Sequence, residues 1–254
     1  MVDVKTYLER INYSGPVAPA AATLRALQVA HLLTVPFENL SIHAGQAILL
    51  DDDALFTKIV IHRRGGFCYE ANGLFAALLR ALGFDVAMLS AEVANAAGEF
   101  GPAFDHMALM VQLEQRWLVD VGFGDSFLEP LLLDEQGEQR QGNRAYKIIQ
   151  EDKHRILMRR DDGEEWQAQY RFTLQPHAYP DYAEMCRYHQ TSPESHFTRG
   201  RICSRATEDG RVTLSDMRFI STSKGGSSDV RHEQILTSEK EYAAVLREHF
   251  GVVI

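Results

Sequence analysis

The chain has 254 residues, of which 45% are hydrophobic and 24% charged, as in an ordinary folded protein with enough chain for a core. Its net charge of −9 disfavours nucleic acid or an anionic membrane as the main partner, because either would require a basic face. The cysteines at 68, 186 and 203 form an odd, widely spaced set, which disfavours a secreted disulfide framework. The N-terminus lacks a basic-then-apolar leader, and no apolar run reaches the roughly 18 residues of a membrane span, so we expect a cytoplasmic protein.

The sequence pattern over residues 1–84 predicts a helical bundle. Asp3 can cap a first short helix, Thr23 opens a second that ends before Pro36, and residues 53–61 form a third. These segments are dense in Leu and Ala and are joined by short loops, which is typical of packed helices.

A fourth helix in this region is predicted to begin at Cys68. Gly65 and Gly66 supply a tight loop before it, and Gly83 can cap its C-terminus. Its apolar residues recur at helical spacing: Leu74, Phe75, Leu78, Leu79 and Leu82. A helix N-terminus favours negative charge, so this position is expected to lower the pKa of the thiol and prepare a nucleophile. A buried structural cysteine is the alternative interpretation.

From Asp85 onward the pattern changes to short strands separated by turn signals, which predicts a mainly antiparallel, barrel-like domain over 85–190. The predicted strands are 86–93, 106–113, 117–123, 145–149, 154–158 and 166–174. A short helix is expected over 180–189 and an α/β lid over 191–254. The lid is expected to include strands near 202, 212–214 and 217–220, a flexible loop over 223–228 and a final helix capped by Ser238.

Two neighbouring strands carry residues that could serve a thiol nucleophile. His106 stands at the entry of one apolar strand, and Asp120 lies within Trp-Leu-Val-Asp-Val in the next. A carboxylate buried among such residues is costly unless it is paired. If the two strands form a hairpin, His106 and Asp120 could face each other, as a base and the group that orients it. Each residue alone would more simply be a core histidine or an edge aspartate.

Taken together, these motifs resemble the arylamine N-acetyltransferase family, in its bacterial form. The R-G-G-x-C-x-E motif spans 64–70, the histidine strand begins at His106, and V-D-V-G-F-G spans 119–124. The P-F-E-N-L segment at 36–40 is a further hallmark, and separated motifs in fixed order are far more specific than any one of them. The resemblance implies an α+β fold made of a helical bundle, an antiparallel β-barrel-like domain and an α/β lid, around a cysteine-protease-like Cys-His-Asp core.

The resemblance also implies an activity in xenobiotic metabolism. An acetyl group would pass from acetyl-CoA to an arylamine, arylhydrazine or N-hydroxyarylamine by a ping-pong mechanism through an acetyl-Cys68 intermediate. His106 would manage protons, Asp120 would accept the other imidazole N–H, and backbone N–H groups near Cys68 would stabilise the oxyanion. Acetyl-CoA would be a co-substrate, with no resident cofactor, no metal and no nucleic-acid or membrane partner.

Binding residues follow from the same resemblance. Phe37 and Phe123 would line the acceptor site, while Gly124 and Ser126 belong to a loop that would pass close to the coenzyme. Glu38 and Arg64 would brace the nucleophile rather than react, and residues 190–204 would form the lid beside the site.

Two other classes of function remain open. The same Cys-His-Asp arrangement serves papain-like proteases, transglutaminases and acyltransferases with other acceptors, although the local sequence around Cys68 lacks the papain-type signature. A non-catalytic relative that keeps the fold as a binding module is the second class, and the intact set of three residues disfavours it. Neither an H-E-x-x-H motif nor paired C-x-x-C motifs occur, which disfavours a metal enzyme.

Overall fold

A computed structural model describes residues 2–223 and 230–253. Its N-terminal part is helical, as the sequence predicts. The helices of this part are α1 (Val4–Arg10), α2 (Ala21–Thr34), α3 (Leu40–His43), α4 (Asp52–Phe56) with a π-helical extension (Thr57–Ile61), and α5 (Cys68–Ala81).

The helix ends test the predicted capping residues. Asp3 caps α1, its carboxylate accepting a hydrogen bond from the Thr6 N–H at 3.2 Å. Helix α2 begins at Ala21 rather than Thr23 and has no side-chain cap at its N-terminus. The predicted third helix is α4 plus its π-helical turn, and α3 was not predicted.

Helix α5 organises the N-terminal part, because most of its residues are buried between the other helices and the large sheet. It begins at Cys68, where the Glu70 carboxylate accepts from the backbone N–H of Phe67 at 3.1 Å. It ends at a left-handed Gly83 with φ +90°, the conformation that the glycine was predicted to supply. Both predicted ends are confirmed.

The central part of the chain forms one eight-stranded antiparallel sheet that nearly closes into a barrel. Its strands run in the spatial order β5-β4-β3-β2-β9-β8-β7-β6. They are β2 (Asp85–Val93), β3 (His106–Gln112), β4 (Arg116–Val119), β5 (Leu131–Leu132), β6 (Gln139–Gln141), β7 (Arg144–Glu151), β8 (His154–Asp161) and β9 (Gln167–His177). The six predicted strands are present, and the short β5 and β6 are additional.

The register of the β3–β4 hairpin corrects one expectation. Strand β4 ends at Val119, so Asp120 lies just beyond the strand instead of inside it, and the ladder pairs 109–112 with 116–119. His106 and Asp120 therefore do not sit opposite each other in the hairpin. Their side chains nevertheless meet beyond the end of the paired region.

A second, five-stranded antiparallel sheet joins the N-terminal part of the chain to its C-terminal part. Strand β1 (Phe37–Glu38) comes from the N-terminal part and pairs with β10 (Ile202–Thr207). The sheet continues through β11 (Gly210–Ser215), β12 (Arg218–Ser223) and β13 (Val230–Ile235). Neither β1 nor β13 was predicted, and the predicted loop at 223–228 lies, beyond Ser223, outside the described residues.

Helices connect and cover the two sheets. A 3₁₀ turn (Tyr179–Tyr182) leads into α6 (Ala183–Thr191), as predicted, and a four-residue helix α7 (His196–Arg199) follows. The last helix is α8 (Glu239–Val245), which continues as a π-helical turn (Leu246–Phe250). At its start the Ser238 hydroxyl accepts from the Glu241 N–H, as predicted. None of the helices in the described residues is long and apolar enough to cross a membrane.

Candidate active site

The loop before Cys68 is pressed against β1. The Glu38 N–H donates to the carbonyl of Gly66 at 3.0 Å. A Cβ on Gly65 would lie only 1.9 Å from the Pro36 carbonyl oxygen, so a side chain at this position is incompatible with the packing. The two glycines thus let the loop approach β1 closely and place Cys68 at the first position of α5.

Two ion pairs lie beside this loop. Arg64 contacts Glu38 through Nε at 3.0 Å and through its terminal nitrogen at 2.8 Å. Lys58 binds Glu70 at 2.6 Å and lies 3.8 Å from Glu38. Both carboxylates are fully buried, so the two cations supply the charge compensation that such burial requires.

Gly122 fixes the distance between Cys68 and the segment after β4. A Cβ on Gly122 would lie 2.7 Å from the Cys68 Cα and 2.7 Å from the Asn72 side-chain nitrogen. Both atoms belong to the buried start of α5, so a side chain at 122 would push that helix away. This glycine is therefore needed where the segment carrying Asp120 crosses the start of α5.

A buried hydrogen-bond network surrounds Asp120 and His106. His106 Nε2 lies 2.7 Å from Asp120 Oδ2, which also accepts from the Tyr170 hydroxyl at 3.1 Å. Oδ1 accepts from the Asn72 amide and from the Gly122 N–H, each at 2.9 Å. With Nε2 bound to a carboxylate, Nδ1 is the imidazole nitrogen left to exchange a proton with a thiol.

This network decides the charge of Asp120. Burial raises the pKa of Asp120, but the charge of His106 and hydrogen bonds from His106, Asn72 and Gly122 outweigh it and leave the pKa below its usual value. Asp120 is thus held as the carboxylate, the form that can orient His106.

The electrostatics of Cys68 differ from the sequence-based expectation. Burial raises the pKa of the Cys68 thiol well above its ordinary value, while a backbone hydrogen bond from Met107 opposes the increase and the charge of Asp120 adds to it. The helix N-terminus is therefore not sufficient to produce a free thiolate here, because removal from water penalises an isolated charge. A thiolate at this depth needs a positive partner in the same cavity.

One cavity of about 410 Å³ brings five of the seven predicted site residues together. Cys68 and His106 open into it, and Phe37, Phe123 and Gly124 form part of its wall. The segment 190–204 contributes His196 and Phe197. The rest of the wall comes from Val93, Asp105, Gly122, Asp125, Ile202, Ser204, Arg211 and Thr213. Phe123 packs edge-on against the His106 ring at 5.1 Å, so an aromatic surface flanks the imidazole.

Ser126 does not reach this cavity. It lines an adjacent pocket of about 120 Å³, where its hydroxyl is buried with no hydrogen-bond partner among the described residues. Asp125 and Arg211 border both spaces. Burial raises the pKa of Asp125, but Arg211, Arg144 and Arg159 together lower it to about 2.

Sequence reasoning missed two residues that hold the site. Asn72 lies one turn after Cys68 on the same face of α5, and its amide carbonyl also accepts from the Val121 N–H at 2.8 Å. A polar residue on an otherwise apolar helix face is the signal that could have identified it. Tyr170 comes from β9, which reaches the site only because β9 pairs with β2, so no local pattern indicates it.

The described residues contain no cluster of three or more His, Cys, Asp or Glu side chains arranged to hold a metal ion. Cys186 and Cys203 are buried away from the cavity, in α6 and β10 respectively. Within the cavity, the site offers a buried thiol together with an imidazole that is oriented by Asp120.

Comparison with known proteins gives the class first. A family model described as N-acetyltransferase matches residues 21–254. Arylamine N-acetyltransferase of Escherichia coli (strain K12) is 35% identical over 97% of this chain and 87% of its own length. Proansamycin X synthase of Amycolatopsis mediterranei is 32% identical over 96% of this chain and 95% of its own.

Solved structures agree with these relatives. The arylamine N-acetyltransferase of Mycobacterium marinum in complex with CoA superposes with a TM-score of 0.89 at 31% identity, covering 98% of this chain and 93% of that one. These matches define an acyltransferase of the N-acetyltransferase class. The chain belongs to the arylamine N-acetyltransferase family.

Proposed function

We propose that this protein transfers an acetyl group from acetyl-CoA to an aromatic amine, hydrazine or N-hydroxyarylamine through an acetyl-Cys68 intermediate. The observation that carries the proposal is the meeting of Cys68 and His106 in one cavity, with His106 bound at 2.7 Å to the buried carboxylate of Asp120. These three residues are the catalytic group of the proposal.

In the first half-reaction, His106 Nδ1 accepts the Cys68 proton. The resulting imidazolium compensates the thiolate that burial disfavours, and Asp120 stabilises the imidazolium from the other side. The thiolate attacks the thioester carbonyl, and the tetrahedral intermediate collapses as the C–S bond to the coenzyme breaks. The coenzyme thiolate takes the proton from His106 and leaves Cys68 acetylated.

In the second half-reaction, the acceptor nitrogen attacks the acetyl carbonyl of the thioester on Cys68. His106 accepts the proton that the amine loses, the C–S bond breaks, and the thiolate–imidazolium pair is restored. Backbone N–H groups near Cys68 stabilise the oxyanion in both halves. Two successive half-reactions suit a single cavity of about 410 Å³, because the coenzyme product can leave before the amine enters.

The wall of the cavity supports an aromatic acceptor. Phe37, Phe123 and Phe197 present ring surfaces beside Cys68, and flat apolar walls favour an aryl ring. Family membership alone does not choose the acceptor, since one relative is named for proansamycin X synthesis. Transfer to another acceptor is therefore the alternative, together with hydrolysis if water replaces the amine.

The test is to detect the intermediate and the order of binding. Acetyl-CoA alone should add one acetyl group to the Cys68 peptide after rapid acid quench, and C68S should stay unmodified. Initial rates at several fixed arylamine concentrations should give parallel double-reciprocal lines. Intersecting lines together with an unacetylated Cys68 peptide would contradict the proposal, and release of acetate at the same rate without an amine would favour the hydrolase.

A further inference from the structure

A second carboxylate–imidazole pair lies beside the first. His189, on α6, is 2% exposed, and its Nε2 lies 3.1 Å from Asp105 Oδ1. Its Nδ1 lies 3.0 Å from the Ser195 hydroxyl, which also accepts from the Phe197 N–H at 3.2 Å. Asp105 immediately precedes His106, so the two pairs enter the site from consecutive residues.

The contacts in this array differ in kind. His189 Nε2 approaches Asp105 Oδ1 to 3.1 Å, but it is buried and makes no hydrogen bond among the described residues. On the other side of the ring, Nδ1 and the Ser195 hydroxyl are within hydrogen-bond distance of each other. Ser195 is only 2% exposed and caps α7, so it is not placed to act as a nucleophile. The buried His189 ring instead packs against the Asp105 carboxylate and limits where this carboxylate can move.

Asp105 differs from the other carboxylate that lines the cavity. Asp125 is held by the guanidinium groups of Arg144 and Arg211. Asp105 contacts no Arg or Lys side chain among the described residues, and its side chain is 17% exposed where it borders the cavity. Burial is the main effect that raises the pKa of Cys68, and the charge of Asp105 is a smaller effect of the same sign. The Asp105 charge therefore acts at the place where the acetyl group would be held.

A carboxylate without a cationic partner on an apolar wall will favour a ligand that brings a hydrogen-bond donor to it. Building on the proposed function, we propose that Asp105 is the residue that discriminates among acceptors. It would favour acceptors with an N–H beside the reacting nitrogen, as in hydrazides, with His189 and Ser195 as its positioning residues.

A matched pair of ligands tests this directly. Benzohydrazide carries the N–H next to its terminal amine, and N-methylbenzohydrazide, with the methyl group on that same nitrogen, lacks it. A hydrogen bond to a charged group contributes enough to expect about tenfold tighter binding of benzohydrazide to the wild-type enzyme. Asp105→Asn should reduce this ratio to about twofold or less, because the amide replaces the carboxylate with a weaker neutral acceptor.

Two further variants supply the controls. Asp181→Asn alters another Asp–His pair, with His177 at 3.6 Å and outside the cavity, and should keep the wild-type ratio. His189→Gln keeps a donor within reach of Asp105 and should preserve most of the discrimination, whereas His189→Ala should lose it. Equal loss of affinity for both ligands in Asp105→Asn, or full discrimination in His189→Ala, would overturn the inference.

Binding is measured with unacetylated enzyme, so this test does not depend on turnover. Failure of the proposed function would appear as an unacetylated Cys68 peptide after exposure to acetyl-CoA. Failure of the Asp105 inference would appear as an unchanged ratio of dissociation constants in Asp105→Asn. The kcat/KM ratio for the two hydrazides should follow the binding ratio where turnover is observed.

Discussion

At Cys68, two electrostatic effects oppose each other, and only one is visible in the sequence. The position at the start of α5 favours a thiolate, but the residue is 3% exposed, and burial raises the pKa of its thiol. Burial also raises the pKa of Cys186, to about 12, and that of Cys203. What sets Cys68 apart from these two thiols is His106, which shares its cavity.

The first prediction concerns this dependence on His106. Iodoacetamide at about pH 6 should alkylate Cys68 and spare Cys186 and Cys203, because only Cys68 can pass its proton to an imidazole. In His106→Gln the Cys68 peptide should become as unreactive as the other two. Peptide mass spectrometry after brief, equimolar labelling gives the result. Equal labelling of Cys68 in wild type and His106→Gln would show that the helix N-terminus alone activates the thiol.

The second prediction separates the partners of Asp120. Asp120→Asn should fold but lose kcat by about 10³-fold or more, because an amide can donate to His106 and favour the wrong tautomer. Tyr170→Phe removes one hydrogen bond at 3.1 Å and should cost only about tenfold, close to the contribution of a single hydrogen bond. Circular dichroism verifies folding. Near-wild-type turnover of a folded Asp120→Asn enzyme would remove Asp120 from the catalytic group.

Among the elements, the segment from Val119 to Gly124 illustrates what the sequence could and could not predict. The apolar pattern over 117–123 indicated a strand next to that of His106, and residues 117–119 of it lie in β4. The point where pairing stops, at Val119, depends on Asn72 and Gly122, which bind and pack against the chain only in the folded state. Strand β1 was missed for a related reason, because two residues give no period and its partner β10 lies more than 160 residues away.

The third prediction tests the crossing of this segment over α5. Gly122→Ala should lower the free energy of unfolding by about 1–3 kcal/mol, because its Cβ meets backbone that cannot move cheaply. Gly122→Ala should also lower activity by more than its loss of stability accounts for, because the displaced atoms include the Cys68 Cα.

Gly137→Ala is the matched control, because its Cβ would meet only the end of the exposed Glu135 side chain, at 3.1 Å. Thermal unfolding and turnover of both variants provide the comparison. A Gly122→Ala enzyme as stable and active as Gly137→Ala would contradict this prediction, because it would mean that the backbone at Cys68 accommodates the added methyl group without loss of stability.

Across the whole molecule, the site lies where three clusters of buried residues meet. Helix α5 belongs to the largest, the barrel interior forms a second, and the five-stranded sheet with α8 forms a third. Composition and periodicity indicated these regions, but not that β1 joins the first and last parts of the chain in one sheet. The domain boundaries proposed after residues 84 and 190 therefore remain a prediction about which parts of the chain fold as units.

A titratable group that the proposed reaction does not use packs against the largest cluster, with the His31 ring centroid 5.2 Å from that of Phe75. His31 is fully buried, with Nδ1 3.0 Å from the Tyr7 hydroxyl, and its Nε2 has no hydrogen-bond partner among the described residues. Burial, with a smaller contribution from the charge of Arg10, lowers the pKa of His31 to about 3. In the unfolded chain the imidazole titrates near its ordinary value of about 6.5.

The last prediction follows from the difference between the pKa of His31 in the folded state and in the unfolded state. Since the unfolded state binds a proton at His31 before the folded state does, stability is complete above about pH 6.5 and falls as the pH decreases towards about 3. Between about pH 7 and pH 5 the loss should be about 2 kcal/mol, in a range where most carboxylates remain ionised. Urea unfolding at several pH values should show this slope in wild type and in the exposed control His62→Gln. His31→Gln should lose most of it, even if its absolute stability is lower, because His196, whose pKa burial also lowers, retains a smaller contribution of the same sign. An unchanged slope would mean that His31 is not the residue that takes up the proton.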